Sequence, residues 1–598
     1  MTSQETKSVT SRRRFLFTVV SSATVGGVAL LAACGGPAVS SAPTPTQSSA
    51  ATSAAVATST AASASSAGAA SSAPASATSA SSAAATASAS VSTTAAQTVA
   101  PAATPPATTA TLTFATGQVS QFPFDTLMFT EWQKRMGVKI DWKLFPTPSY
   151  QDKVQLMLST GDVTDIFIAN RSSLPKLGPQ SSMPLDDLLK DHAPNYSTLL
   201  ADNKDQVPAI RSANGKIYGM FGRLQYVYMG WIYRKDLATK LGVTKLETLD
   251  DWYTFMKAAK KDNPNTYGIG MYGSVLNVAD GLRGAFGLHG QLVDWIIMQD
   301  NKLVDSSILP QAKDVIGTVR RWYTEGLMNP DMLALVEGQQ HHQNLVSGKT
   351  IVDPDDYLEG MDPVTPAGQK QTPGFDLEAT LPPKGPNGEQ ADLTNFTGWS
   401  YWGVGLGPKA KNPEAAIRFV DYLLGDEGNL LYWLGVEGVT YEKAGDSYRF
   451  LPKVVDALPG LIQKGIQDLD TPDRAIAYQY GLGGGEGFFV PKTNPAPDKA
   501  RDAYVGVIES KKLVDAQNLE QSHMNKLINT PVFTEQEAAD LKTSTADIAT
   551  YRQETWTNMI SGKQSMDQWD AYVAQMKKLG VPKVEAIYNT AYQRTYKG

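Results

Sequence analysis

The residues able to do chemistry are few and widely spaced. The histidines are His192, His289, His341, His342 and His523. Only His341 and His342 are neighbours, and consecutive helical residues do not face each other, so they are not expected to share a metal ion. Asp353, Asp355 and Asp356 follow the run Thr350-Ile351-Val352, which reads as a strand. Two carboxylates across a cleft can serve as acid and nucleophile in glycoside hydrolysis. Solvated loop carboxylates are far commoner, however, and sequence cannot show a facing pair. Gly268-Ile269-Gly270-Met271-Tyr272-Gly273 has the spacing of a dinucleotide loop. A turn, Asn263-Pro264-Asn265, precedes it and no helical pattern follows at once. The glycines between Gly481 and Gly487 read as a flexible loop. No serine-hydrolase, zinc-protease, Cys-x-x-Cys or P-loop motif occurs. With Cys34 as the single cysteine, neither an intrachain disulfide nor a cysteine metal cluster can form. The expectation is a protein without catalytic residues, metal or cofactor.

The 598 residues carry a net charge of −6. The basic residues Lys7, Arg12, Arg13 and Arg14 crowd the N-terminus, which leaves the rest more acidic still. Such a body lacks the basic stripe that nucleic-acid binding requires. Ser11-Arg12-Arg13-Arg14-Phe15-Leu16 is a twin-arginine pattern ahead of an uncharged run, Phe15 to Ala33. A membrane-spanning helix is one reading of that run. Its Ser21, Ser22, Gly26 and Gly27 argue against this, as does its end, Leu31-Ala32-Ala33-Cys34, which resembles the lipobox of bacterial lipoproteins. Residues 1–33 therefore read as a twin-arginine-type signal peptide, and Cys34 as the lipidated first residue after cleavage. Phe17 stands where that export motif usually has Lys. Residues 34–110 read as a disordered linker: 58 of the 70 residues from Ser41 to Ala110 are Ala, Ser or Thr, too little apolar bulk to offset the entropy of ordering. As a flexible chain it would reach about 50 Å.

The elements able to position a site lie after residue 110. Leu112 and Phe114 alternate with Thr, and Val138, Ile140, Trp142 and Leu144 alternate with Lys and Asp, as in strands. Between them Phe129, Trp132 and Met136 fit a helix ending at Gly137. Lys153 to Thr160 is a second helix, stopped by Gly161, and Ile166-Phe167-Ile168 a third strand. This β-α-β-α-β order predicts an α/β fold with a largely parallel sheet. Ligands of such sheets bind at the carboxyl ends of strands, here near 116–121, 145–150 and 169–171. Further on, Thr248 with Asp251 predicts a capped helix whose stripe is Trp252, Phe255, Met256 and Ala259. Asn412-Pro413 predicts another helix start. Ser565 with Gln568 predicts a third, closed by Gly580.

A series of ordered motifs carries a family resemblance. They are Ser159-Thr160-Gly161-Asp162-Val163-Thr164-Asp165-Ile166, Asn214-Gly215-Lys216-Ile217-Tyr218-Gly219 and Tyr233-Arg234-Lys235-Asp236-Leu237, then Thr248-Leu249-Asp250-Asp251-Trp252. Trp322-Tyr323-Thr324-Glu325-Gly326-Leu327, Leu381-Pro382-Pro383-Lys384-Gly385-Pro386, Asn412-Pro413-Glu414-Ala415-Ala416, Gly435-Val436-Glu437-Gly438 and Trp569-Asp570-Ala571-Tyr572-Val573 follow. The chain resembles the extracellular solute-binding proteins of family 1, in the large LplA-like lipoprotein branch that includes alginate oligosaccharide-binding proteins. The resemblance implies a two-lobed, type II periplasmic-binding-protein (Venus flytrap) fold with crossing hinge segments. It implies lobes at 111–228 plus 348–400 and at 229–347 plus 401–598. It also implies a monomer that captures an oligosaccharide and delivers it to the membrane permease of an ABC importer. An exported glycan-active enzyme and a surface glycan adhesin or sensor are the alternatives. Relatives near this branch often carry a calcium loop after the Trp252 helix. Here Asp262 and Asn265 remain but the later acidic ligands do not, so no calcium is expected there.

Sugar C–H faces stack on aromatic rings, and sugar hydroxyls bond to amides, carboxylates and guanidiniums. The ring candidates are Trp295, Trp399 and Trp402, then Tyr226, Tyr228, Trp231 and Tyr272. The polar candidates at strand ends are Gln118, Asn170, Arg223 and Asp353. Trp132, Trp142, Trp252, Trp322 and Trp569 are assigned to core.

Overall fold

The computed structural model describes residues 110–118, 124–171, 177–226, 229–289, 291–336, 340–458, 500, 502–507, 509–521, 523–526, 528 and 530–597. Cys34, the linker, Tyr228 and the 481–487 loop lie outside them.

The first described strands are β1 (Ala110–Gln118), β2 (Val138–Pro146), β3 (Ile166–Asn170), β4 (Met220–Tyr226) and β5 (Met229–Arg234). β6 (Gln291–Val293), β7 (Ile296–Gln299) and β8 (Lys302–Asp305) make a small antiparallel ribbon. β9 (Val352–Tyr357), β10 (Leu377–Thr380), β11 (Asp392–Leu406), the hairpin β12 (Tyr441–Ala444) and β13 (Ser447–Phe450), and β14 (Met524–Lys526) complete the set. β1 pairs in parallel with β2 and with β3. This parallel trio is the one the alternation and helix spacing predict. β11 then arrives from far along the chain, antiparallel to β3 on one edge and to β4 on the other, while β14 pairs with its first half. A second sheet has the order β10-β5-β9 and is antiparallel throughout.

Local signals account for the element boundaries. The Leu127–Met136 helix buries Met128, Phe129 and Trp132 and ends at Gly137, whose φ of 61° suits the one residue without a Cβ. The Leu249–Asp262 helix opens on the predicted capping box: Thr248 Oγ1 accepts the Asp251 N–H at 3.2 Å, and Asp251 Oδ2 accepts the Thr248 N–H at 2.9 Å. Asn412 makes no side-chain cap bond, although Pro413 does begin its helix. Ser565 caps a short 3-10 turn, Met566–Gln568, and the Trp569–Leu579 helix follows that turn.

The packing forms two large cores. The first gathers Leu112, Phe114, Trp132, Ile166, Phe167, Phe221 and Trp399 with Ile417, Phe419, Trp433 and Tyr504. The second gathers Trp231, Trp252, Ile269, Trp295, Trp322 and Val352 with Trp556, Trp569 and Tyr572. Where the expected division grouped 401–598 together and 348–400 with the first strands, the packing puts Ala416 to Leu458 in the first core and Ile351, Val352 and Leu541 to Tyr588 in the second. Residues 413–458 stay with the first sheet because Trp132 stacks on Phe419 at 3.8 Å and donates its indole N–H to the Phe419 carbonyl, whereas Trp556, Trp569 and Tyr572 lie in the second core. Asp421 reinforces this by accepting the N–H groups of Asn195 and Tyr196 at the start of the Pro194–Asp202 helix. Ile351 and Val352 pack in the second core because β9 pairs with β5.

The chain passes between the two sheets where β4 leads into β5 across 227–228, and again from β10 to β11 across 381–391. A later passage runs from Tyr504, in the first core, through the Lys511–Gln521 helix, which packs Leu513 and Ala516 beside Ile232 and Leu377. The 381–391 passage is clamped at glycines. A Cβ on Gly385 would lie 1.5 Å from the Ala285 carbonyl oxygen, and one on Gly284 would lie 1.9 Å from that of Ala391. Backbone cannot yield as a side-chain tip can. Gly385→Ala is expected to destabilise the protein by about 1–3 kcal/mol, read as a lowered urea midpoint. An unchanged midpoint would mean that this contact opens at no cost.

Candidate functional site

The carboxyl edge of the first sheet collects most of the polar groups expected at strand ends. β1 ends at Gln118, beside Pro146 of β2. β3 ends at Asn170, which is buried and lies opposite Trp402 of β11. The Tyr150 hydroxyl pins these two strand ends together, standing 3.0 Å from the carbonyls of Ala115 and Ile168 and accepting the Ile168 N–H. Arg171 follows β3 and donates from Nη1 to the Trp399 carbonyl at 3.2 Å. Between Trp399 and Gly403 the register of β11 against β4 shifts, and such irregularities re-aim side chains. Trp402 is left partly exposed, while Trp399 is only 2% exposed.

Arg223 and Trp399 form the centre of this edge. They lie directly opposite each other on β4 and β11. The Arg223 guanidinium sits 5.3 Å from the Trp399 ring centroid and donates from Nη1 to Gln206 Oε1 at 2.7 Å. The Trp399 indole N–H donates to the Gln206 carbonyl at 2.8 Å. Gln206 thus holds both partners in place. Burial lowers the Arg223 pKa from its ordinary value, Asp205 opposes that shift, and the charge on Arg171 adds to it. Two guanidiniums therefore sense each other here, and no carboxylate forms an ion pair with Arg223 among the described residues. The local field favours an incoming acceptor or anion.

Asp353 and Tyr272 lie elsewhere, next to residues of the second core. Asp353 is fully buried within β9, opposite Ile232 of β5, rather than in a loop. Its Oδ2 lies 2.7 Å from His341 Nδ1. His341 and His342 begin the short Gln340–Val346 helix, both buried, with ring centroids 4.0 Å apart. The expectation that neighbouring histidines diverge fails here: each ring swings about its own side-chain bonds, and the two meet although their Cα–Cβ directions differ. The Tyr272 ring is half-buried, 6.1 Å from the His341 ring. Arg234 anchors the helix to β5. It binds Asp236 through Nε and Nη2 at 2.8 and 2.7 Å and donates to the Leu345 carbonyl.

Three expected ring candidates are covered. Trp399 is packed as described. Trp231 is 2% exposed, 5.0 Å from the Trp252 ring. Trp295 is 3% exposed, edge-on to Trp556 at 4.7 Å, with Arg283 over its face at 4.5 Å. Their loop-like flanks gave no warning of this, because the covering partners lie far away in sequence. Tyr226 ends β4 opposite Phe396, and its side chain, like that of Gln118, is outside the described residues. The Gly268–Gly273 glycines serve packing: a Cβ on Gly268 would strike Met256, and one on Gly270 would strike Thr350. A helix, Val275–Leu282, does follow them at once, contrary to expectation, and Ser274 and Asn277 cap its start. In the segment where relatives carry a calcium loop, Asp262 pairs with Lys240 at 2.7 Å. Gln206, Arg171 and His341 were missed as site residues. Arg171 carried a sequence signal in its place at a strand end, and His341 in its adjacency to His342.

Two α/β cores joined by crossing strands, with rings and polar groups at the carboxyl edge of a sheet, define a type II solute-binding fold. The chain belongs to the family described as bacterial extracellular solute-binding protein, whose model matches residues 116–430. Two curated relatives from Bacillus subtilis (strain 168) are similar to it. Lipoprotein LipO is 26% identical over 340 residues, and the polygalacturonan/rhamnogalacturonan-binding protein YtcQ is 24% identical over 331. Each match spans 53% of this chain and 64% of the relative. Among solved structures, the alginate-binding protein AlgQ2 without calcium ion superposes with a TM-score of 0.61 at 19% identity, covering 81% of this chain and 98% of that one. An extracellular solute-binding protein from Bifidobacterium longum subsp. infantis superposes with a TM-score of 0.62 at 16% identity, covering 82% and 98%. Among the described residues no helix is long and apolar enough to cross a membrane.

Proposed function

We propose that this protein is the substrate-binding lipoprotein of an ABC importer. It is anchored through Cys34 to the outer face of the cell membrane, and it closes on an oligosaccharide and passes it to the permease. The lobes in this reading are 110–226 with 392–458, 500–507 and 524–526, and 229–391 with 510–521 and 530–597. Arg223, Arg171, Asn170 and Trp402 contribute the ligand face of the first lobe, with Tyr272 on the second lobe. Trp399, Trp295 and Trp231 support these faces from beneath.

The observation that carries the reading is the Arg223 guanidinium, half-buried on an aromatic ring beside a second arginine and without an ion-pair partner among the described residues. A structural arginine at that depth would ordinarily be paired. Here its charge faces the edge where solutes bind in open α/β sheets, and a sugar carboxylate would satisfy it. Acidic oligosaccharides are therefore favoured over neutral ones. The names of YtcQ and AlgQ2, which refer to binding of acidic polysaccharides, support that preference.

The test is a panel of neutral and uronate oligosaccharides offered to the purified chain. Saturable binding by calorimetry is expected, tightest for uronates, with a smaller radius of gyration in solution scattering and no new product by mass spectrometry. Turnover would replace this reading with an enzyme. Binding without compaction would replace it with an adhesin or sensor.

A further inference from the structure

We infer that His341, His342 and Asp353 form a binding site for a divalent transition-metal ion of the zinc class, built into the second lobe beside the crossing strand β5. The three residues are 4%, 8% and 0% exposed. Each offers a ligand atom, and these atoms lie within 4.8 Å of one another. Two ligands on zinc stand about 3.3 Å apart when its bonds are about 2.0–2.1 Å and tetrahedral. The donors are thus close enough for one ion to reach all three after small side-chain adjustments, including a parting of the His341–Asp353 pair, which stands at 2.7 Å.

The donor set selects the ion. Two imidazoles and one carboxylate suit zinc, cobalt or nickel, whereas calcium requires six or more oxygens. Three protein donors leave a fourth position for water, as in open zinc sites. The bland alternative is a plain buried histidine–aspartate hydrogen bond, which His341 and Asp353 already make. The convergence of all three residues goes beyond that pair. A second imidazole, also buried, is held 4.0 Å from the first by a helix that Arg234 fastens to β5.

The placement gives the ion a structural consequence. Asp353 is on β9, opposite Ile232, three residues into the strand that follows the 227–228 crossing. The histidines are on the Gln340–Val346 helix. One ion would lock helix to strand at the base of the crossing, next to Tyr272. This site is independent of the sugar reading and stands or falls without it.

The test uses the full chain, stripped with a chelator and titrated with zinc chloride by calorimetry, then with cobalt chloride by visible absorption. One zinc per chain, a raised melting temperature and a cobalt spectrum with imidazole ligands are expected, while calcium chloride has no effect. His342→Gln removes one donor and does not touch the His341–Asp353 bond; metal-free melting and the solution scattering profile show that the variant folds as the parent does. It is expected to lose the zinc binding. His523→Gln, at an exposed histidine, is expected to keep it. Failure of the parent to bind zinc, or equal binding by His342→Gln, overturns the inference.

Discussion

Arg552→Met is expected to destabilise the protein by about 3–5 kcal/mol at pH 7, the usual cost of leaving a buried charge without its partner. Arg552 is 4% exposed on the long Glu535–Ile560 helix, and its Nη2 donates to both Asp294 oxygens, at 2.9 and 2.7 Å. It also acts on Asp305, which is 3% exposed. Burial raises the Asp305 pKa above its ordinary value, and the Arg552 charge counters that rise. The sign of the pH dependence follows. An acid with a raised folded-state pKa holds its proton more tightly when folded, so it subtracts stability as the pH rises from the unfolded value through the folded one. Removing Arg552 raises that pKa further and deepens the loss at neutral pH. Below both values Asp305 is neutral in either state and its share of the deficit disappears. Urea unfolding should therefore show a deficit that is largest at pH 7 and narrows as the pH falls toward the ordinary carboxylate range. Methionine keeps much of the apolar stem against Trp556. A deficit below about 1 kcal/mol, equal at both pH values, would mean that the arginine contributes packing and no charge compensation.

Arg223→Met is expected to weaken binding of an acidic oligosaccharide by about 1.5–3 kcal/mol, roughly 10- to 160-fold, the range for hydrogen bonds to a charged group. A neutral oligosaccharide of equal length should lose less, because a hydroxyl gains less than a carboxylate from a guanidinium. The Trp399 indole bond to the Gln206 carbonyl does not involve Arg223, so the platform survives the substitution. Melting without sugar provides the check on folding. Calorimetry with matched acidic and neutral ligands separates the outcomes. Equal loss for both would assign Arg223 to hydroxyl recognition, and no loss for either would remove it from the binding face.

Different physics made some features readable and hid others. The β1–β2–β3 trio and its helices were legible because alternation, a helical stripe and a terminal glycine act within a dozen residues, as at Phe129, Trp132 and Gly137. The capping box at Thr248 is local in the same way. The lobe membership of 401–458 was not legible, because it rests on Trp132 meeting Phe419 and on Asp421 meeting Asn195 and Tyr196. Those contacts span more than two hundred residues. The ring candidates divided on the same ground. Trp295 has the flanks of a loop residue, yet Trp556 covers it from the far end of the chain.

What the residues decide by themselves is therefore the class of the molecule: an acidic, cysteine-poor α/β body with ordered family motifs and no serine-hydrolase, zinc-protease, Cys-x-x-Cys or P-loop motif. Composition and short-range pattern are properties of the chain, and no fold is needed to read them. The tertiary structure alone decides that Arg223 rests on Trp399, that Gln206 holds both, and that His341, His342 and Asp353 converge. Each of these meetings depends on which strand edge pairs with which, and strand pairing is settled by the burial of whole faces rather than by any local run of residues.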